Sequence, residues 1–130
     1  MAQGAILIVD DDPDITEAMK LVLEDAGYTV DSAVDSDAAM RLISANKPAL
    51  IILDVMMNSP QEGFSMSRQL KKSPQYKDIP ILMLTAVKEK TGIDFKSAAG
   101  DEEWLPVDGY LDKPVRPDVL LEQVEALVNK

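Results

Sequence analysis

Three consecutive carboxylates (Asp10, Asp11 and Asp12), a further one at Asp54, a hydroxyl at Thr85 and an amine at Lys113 are the side chains of this sequence whose types suggest chemistry. Each follows an apolar run. Ile6-Leu7-Ile8-Val9 leads into Asp10, Leu50-Ile51-Ile52-Leu53 into Asp54, Ile81-Leu82-Met83-Leu84 into Thr85, and Tyr110-Leu111 into Asp112-Lys113-Pro114. Two unit charges about 4 Å apart repel by on the order of 4 kcal/mol at an effective dielectric near 20. Acids gathered in one place therefore require a protonated group, a bound cation or side chains that point apart. Oxygen ligands without nitrogen or sulfur select a hard cation, and a small carboxylate set that leaves room for water and phosphate oxygens favours magnesium. Lys113 adds a point charge suited to a phosphoryl oxygen, and Thr85 adds a hydroxyl donor. Together these groups describe phosphoryl transfer with a carboxylate as nucleophile.

That chemistry needs the four strand ends to meet. Leu50 to Leu53, next to Pro48, reads as a strand buried on both faces of a parallel sheet. Asp12-Pro13 reads as a cap followed by proline at the first helical position, before Ile15, Met19, Val22, Leu23 and Ala26 recur at helical spacing and Gly27 ends the run. Tyr28-Thr29-Val30 and Ala33-Val34 predict a second, more exposed strand. Ser36 is the expected cap of a second helix carrying Ala39, Leu42 and Ile43, which ends near Asn46-Lys47-Pro48. Val55 to Gly63 reads as a loop, and Phe64 to Lys72 as a third helix stopped by Ser73-Pro74. At most a short helix is expected between Val87 and Asp108. Pro117 opens a final helix with Val119, Leu120, Val124, Leu127 and Val128 on its buried side. Strands alternating with helices imply right-handed crossovers. The fold class expected is α/β, a doubly wound five-stranded parallel sheet with helices on both faces, formed by one domain over residues 1–130. In such sheets ligands bind outside the carboxyl ends of the strands, where the strand order reverses.

Composition narrows the function. Within 130 residues, hydrophobic content of 46% and charged content of 28% predict a compact globule rather than a disordered chain. A net charge of −10 without a Lys/Arg cluster argues against contact with nucleic acid and for a partner with a basic or apolar face. The absence of cysteine removes disulfides and thiolate metal sites, and the absence of histidine removes Ser-His-Asp catalysis, imidazole zinc sites and a phosphohistidine role. No glycine-rich phosphate loop follows any strand. The amino terminus lacks a signal-peptide pattern and no apolar run approaches a membrane span, so a cytoplasmic protein without membrane contact is expected.

Ile8-Val9-Asp10-Asp11-Asp12, Leu53-Asp54, Leu84-Thr85-Ala86 and Asp112-Lys113-Pro114, in this order and at about these separations, resemble the receiver domain of two-component response regulators. The resemblance covers essentially the whole chain, in the manner of a single-domain chemotaxis regulator. It implies a flavodoxin-like receiver fold with Asp54 as phosphoacceptor, supplied by a sensor histidine kinase or a histidine phosphotransfer protein. It further implies that Asp10 and Asp11 form the acidic pocket, and that Mg2+ is held by Asp11, Asp54, the Met56 carbonyl and, through water, Asp10. Thr85 becomes the switch hydroxyl, Tyr110 the aromatic switch residue, Lys113 the phosphate-binding lysine and Pro114 the proline after a cis peptide bond. No enzyme activity is implied beyond the chain's own phosphorylation and slow dephosphorylation, and output is expected through an unidentified partner protein. Residues two after the phosphoacceptor and two after the switch hydroxyl, here Met56 and Val87, are implied to control water access to the phosphoryl group. Two stretches depart from the family pattern. Asn58 follows Met57 while proline waits until Pro60 and Gly63 follows Glu62, and the segment from Val87 to Gly109 is longer than usual.

Taken singly, each residue also has a plain structural reading. Asp54 could begin a turn, Lys113 could be a surface lysine, Thr85 suits any strand, and Asp12 before Pro13 is a helix cap. Met56, Met57, Met66 and Met83 read as packing residues, and Trp104 as an anchor for its irregular segment. Two other classes compete. A haloacid-dehalogenase-like phosphatase also uses an aspartate after its first strand, but wants Thr or Val where this chain has Asp14. A pseudo-receiver that only binds partners is the other, and retention of the acid, hydroxyl and lysine positions argues against it.

Overall fold

The structure is a computed structural model that describes residues 4–54, 60–85, 109–112 and 116–128. Five strands, β1 (Ala5–Val9), β2 (Thr29–Ala33), β3 (Leu50–Asp54), β4 (Ile81–Thr85) and β5 (Gly109–Asp112), form one sheet in the order β2-β1-β3-β4-β5. Every neighbouring pair is parallel. The helices among the described residues are α1 (Pro13–Asp25), α2 (Ser36–Ala45), α3 (Pro60–Lys72) and α4 (Pro117–Val128). The expected α/β class and doubly wound arrangement are those observed.

The aliphatic runs fill both sides of the sheet because successive strand residues face opposite ways. Leu7, Val9, Ile51, Leu53, Ile81 and Met83 pack in one core with Ala39 and Ile43 of α2 and Met66 and Leu70 of α3. Ile6, Ile8, Leu50, Ile52, Leu82 and Leu84 join Met19 and Leu23 of α1 and Leu120, Val124 and Leu127 of α4 in the other. β3 is buried along its entire length, as its uninterrupted apolar sequence requires. From β1 the chain moves outward to β2, then returns to place β3 on the other side of β1. That reversal lies between β1 and β3, and α/β sheets open a crevice there.

Local chemistry sets the boundaries. Gly27 has φ 103°, a left-handed conformation that lets the chain leave α1 for β2. α3 begins at Pro60 rather than Phe64, so Gln61, Glu62 and Gly63 are helical and not part of a loop. Proline is suited to the first helical turn, where its missing N–H loses no bond, and glycine in a helix carries only a modest penalty. The cap of α2 is Asp35 rather than Ser36, and its side chain accepts from the Ala38 N–H at 2.8 Å. β2 runs unbroken through the exposed Asp31 and Ser32, as an edge strand whose charge discourages further pairing. The Lys71 Nζ donates to the Ile79 carbonyl at 3.1 Å and holds the turn between α3 and β4. The short helix expected between Val87 and Asp108 lies outside the described residues, as do Trp104 and the Met56-Met57 pair.

Candidate functional site

Register brings the acids together. Val9 of β1 pairs with Leu53 of β3, so Asp10 and Asp54, each the next residue, leave the carboxyl edge of adjacent strands side by side. Carboxylate oxygens of Asp10, Asp11 and Asp54 lie within 4.8 Å of one another. Asp10 is 1% exposed and Asp54 2%, whereas Asp11 faces solvent. Burial of two acids beside a third is unfavourable unless charge is neutralised or dipoles point inward.

Asp10 is held by backbone on both sides. Its N–H donates to the Ala33 carbonyl at 3.1 Å, extending the contact of β1 with β2 by one residue. Its Oδ1 accepts from the Asp12 N–H at 2.9 Å. Asp12 is the N-cap of α1, and its Oδ1 accepts from the N–H groups of Asp14 at 3.0 Å and Ile15 at 3.3 Å. The third carboxylate thus belongs to the helix and is not one of the three that converge, which matches its plain structural reading. Sequence reasoning did not anticipate the bond from Asp12 to Asp10. The Asp-x-Asp spacing is its signal, because an aspartate oxygen readily accepts from the N–H two residues on.

The donor set can be tested against a metal. Three carboxylates supply oxygen only, two of them buried and one open to solvent, and this suits a hard cation that keeps some water ligands. Asp10, Asp11 and Asp54 therefore fit Mg2+. The Met56 carbonyl, expected to join them, lies outside the described residues.

The remaining predicted residues divide into two groups. Leu84 pairs with Asp54, which sets the backbone of Thr85 one residue beyond it on β4, and Thr85 in turn pairs with Asp112 of β5. Tyr110 occupies the β5 position opposite Met83. Lys113 and Pro114 lie outside the described residues, although Asp112, the residue before Lys113, is placed at the same sheet edge. A groove lined by Ala49, Lys71, Lys77 and Pro80 opens at the opposite edge, where β3 and β4 begin, and it is not the acid site. Among the described residues no helix is long and apolar enough to cross a membrane.

Residues 6–125 match the response regulator receiver domain. The chain is 38% identical over 125 residues to the DNA-binding dual master transcriptional regulator RpaA of Synechocystis sp., across 96% of this chain and 49% of that protein. It spans about half the length of the curated relatives it matches. Its fold is similar to that of the Vibrio cholerae chemotaxis protein CheY4, with a TM-score of 0.81 and 33% identity over 98% of both chains. It is also similar to the signal receiver domain of a signal transduction histidine kinase from Syntrophus aciditrophicus, with a TM-score of 0.80 and 33% identity over 97% of this chain and 90% of that one. Acids converging where the strand order reverses and a match across nearly all of the sequence agree: the chain belongs to the response regulator receiver domain family of two-component systems.

Proposed function

We propose that this receiver accepts a phosphoryl group on Asp54 from a phosphohistidine of a sensor histidine kinase or a histidine phosphotransfer protein, in a reaction that depends on Mg2+. The observation that carries the reading is the convergence of buried Asp54 and Asp10 with exposed Asp11 at the switch point of the sheet. An Asp54 oxygen attacks phosphorus, the new P–O bond forms as the P–N bond to the donor imidazole breaks, and the imidazole leaves with the bonding pair and takes up a proton. Asp11, Asp54 and the Met56 carbonyl, with Asp10 through water, are the proposed holders of the ion. When bound, Mg2+ supplies positive charge that offsets both the repulsion among the acids and the charge of the incoming group.

Lys113 is proposed to stabilise the phosphoryl oxygens from the end of β5. Thr85 then follows the phosphoryl group and, with Tyr110, changes a surface that a partner protein distinguishes. The site turns over no separate substrate. The haloacid-dehalogenase alternative loses ground because the receiver match runs through residues 6–125 and Asp54, not Asp10, ends the fully buried central strand. The test is incubation with acetyl phosphate or a phosphorylated kinase, followed by intact-mass measurement. Phosphorylation is expected with Mg2+ and not after chelation, and Asp54→Asn is expected to abolish it; undiminished phosphorylation of that variant would refute the assignment.

A further inference from the structure

The Asp12 backbone bridges two structures that the sequence presents separately. Toward the amino terminus its N–H donates to Asp10 Oδ1 at 2.9 Å; toward the carboxyl terminus its side chain caps α1 and its carbonyl accepts from the Thr16 N–H at 3.1 Å. Both bonds depend on one backbone conformation. Asp12 has φ −94° and ψ 107°, extended rather than helical, and this turns its N–H back toward Asp10 while its carbonyl starts the helix. Were Asp12 to join the helix, its N–H would align with the helix axis and leave the Asp10 carboxylate.

Two devices keep Asp12 extended. The first is the cap, whose bonds to Asp14 and Ile15 exist only while Asp12 stays outside the helix. The second is Pro13, since a residue before proline is driven away from the helical region. Pro13 is exposed, so its ring does this without contributing to the core. The arrangement matters because Asp10 is 1% exposed and shares a cluster with two other acids. A buried carboxylate fixed in advance binds a cation without first losing side-chain freedom, and partners that orient ligands in this way commonly set metal affinity.

We infer that Asp12, together with Pro13, is a positioning residue: by capping α1 it holds the N–H that fixes the Asp10 carboxylate beside Asp11 and Asp54, and so couples cation binding to the first turn of α1. The inference rests on the proposed phosphoryl-acceptor function and extends it to the control of cation affinity. It distinguishes the cap from the negative charge of Asp12, which would also attract a cation. Linkage makes the coupling reciprocal, so the cation also steadies the turn.

The experiment is a Mg2+ titration of the unphosphorylated chain followed by amide NMR, which reports folding and affinity together. Three chains are compared: the wild type, Asp12→Ala combined with Pro13→Ala, and Asp12→Asn with Pro13 retained. Asparagine caps as well as aspartate but carries no charge. The alanine pair is expected to weaken Mg2+ binding by up to about fivefold, the factor reached when the whole stabilisation by a helix cap is transmitted to the site, with the Asp12→Asn chain within about twofold of wild type. Equal affinity in all three chains would overturn the inference, as would an Asp12→Asn chain as weak as the alanine pair, which would assign the effect to charge. If the alanine pair does not fold, the wild type decides: Mg2+ is expected to slow exchange of the Asp12, Asp14 and Ile15 amides, and unchanged exchange overturns the coupling. A wild type that binds no Mg2+ would instead refute the functional reading on which the inference stands.

Discussion

Thr85 lies one residue further along its strand than Asp54 does on the neighbouring one. With a rise of about 3.3 Å per residue, this offset sets the hydroxyl-bearing residue just past the carboxylate at the edge where a phosphoryl group would project. Thr85→Ala is expected to leave phosphorylation of Asp54 largely intact while removing the change that phosphorylation imposes on β4 and β5. Hydrogen exchange with and without acetyl phosphate measures this. Thr85→Ser should behave as wild type, and an alanine variant with the full response would show that the switch lies elsewhere.

Asp10, Asp54 and Thr85 were legible as strand ends because each follows a run of four large aliphatic residues, and such runs have few ways to fold. Leu50 to Leu53 could only be buried on both faces, and with β1 parallel to it the two sets of acids had to emerge together. Helix starts were less legible, since several residue types compete for the cap. Asp35 and Ser36 both suit it, and it is the Asp35 side chain that accepts from the Ala38 N–H. Pro60 and Gly63 carry turn chemistry but are also tolerated early in a helix, which concealed the first turn of α3. The bond between Asp12 and Asp10 is a matter of backbone direction, and no pattern of side-chain types reports it directly.

Ile52 is fully buried in β3 and packs in the core shared with α1 and α4. Ile52→Ala is expected to reduce stability by about 2–5 kcal/mol, the usual range for truncating a large core aliphatic. Leu21, 61% exposed, is the matched control, and Leu21→Ala should cost less than about 0.5 kcal/mol. Urea unfolding of both variants checks the difference, and comparable losses would mean that the α1 surface is covered in solution.

Tyr28 is 6% exposed, and its phenol is pushed above its ordinary value of 10.0 by burial and then by the neighbouring Glu125 carboxylate. The unfolded chain therefore releases this proton at lower pH than the folded one does. The stability that Tyr28 contributes is fully present below about pH 10 and is lost as pH rises from there through the folded value. Chemical unfolding between pH 8 and about 11.5 should show this decline, and Tyr28→Phe should flatten it. A decline of equal steepness in the variant would assign it to other groups.

The lifetime of the phosphoryl group is expected to be long, because neither Met56 nor Val87 can hold a water through a strong hydrogen bond. Decay of the phosphorylated chain should quicken on Met56→Asn or Val87→Glu. A rapid decay unaffected by either change would place the water-holding group in the stretch from Asn58 to Glu62.

Asp54, and not Asp10 or Asp11, is proposed to form the acyl phosphate. Reduction of the phosphorylated chain with borohydride converts the modified aspartate to homoserine, which peptide mass spectrometry locates. Homoserine at position 54 alone, formed only when Mg2+ was present during phosphorylation, is the predicted result; homoserine at position 10 or 11, or at none of the three after full exposure to a phosphodonor with Mg2+, would contradict it.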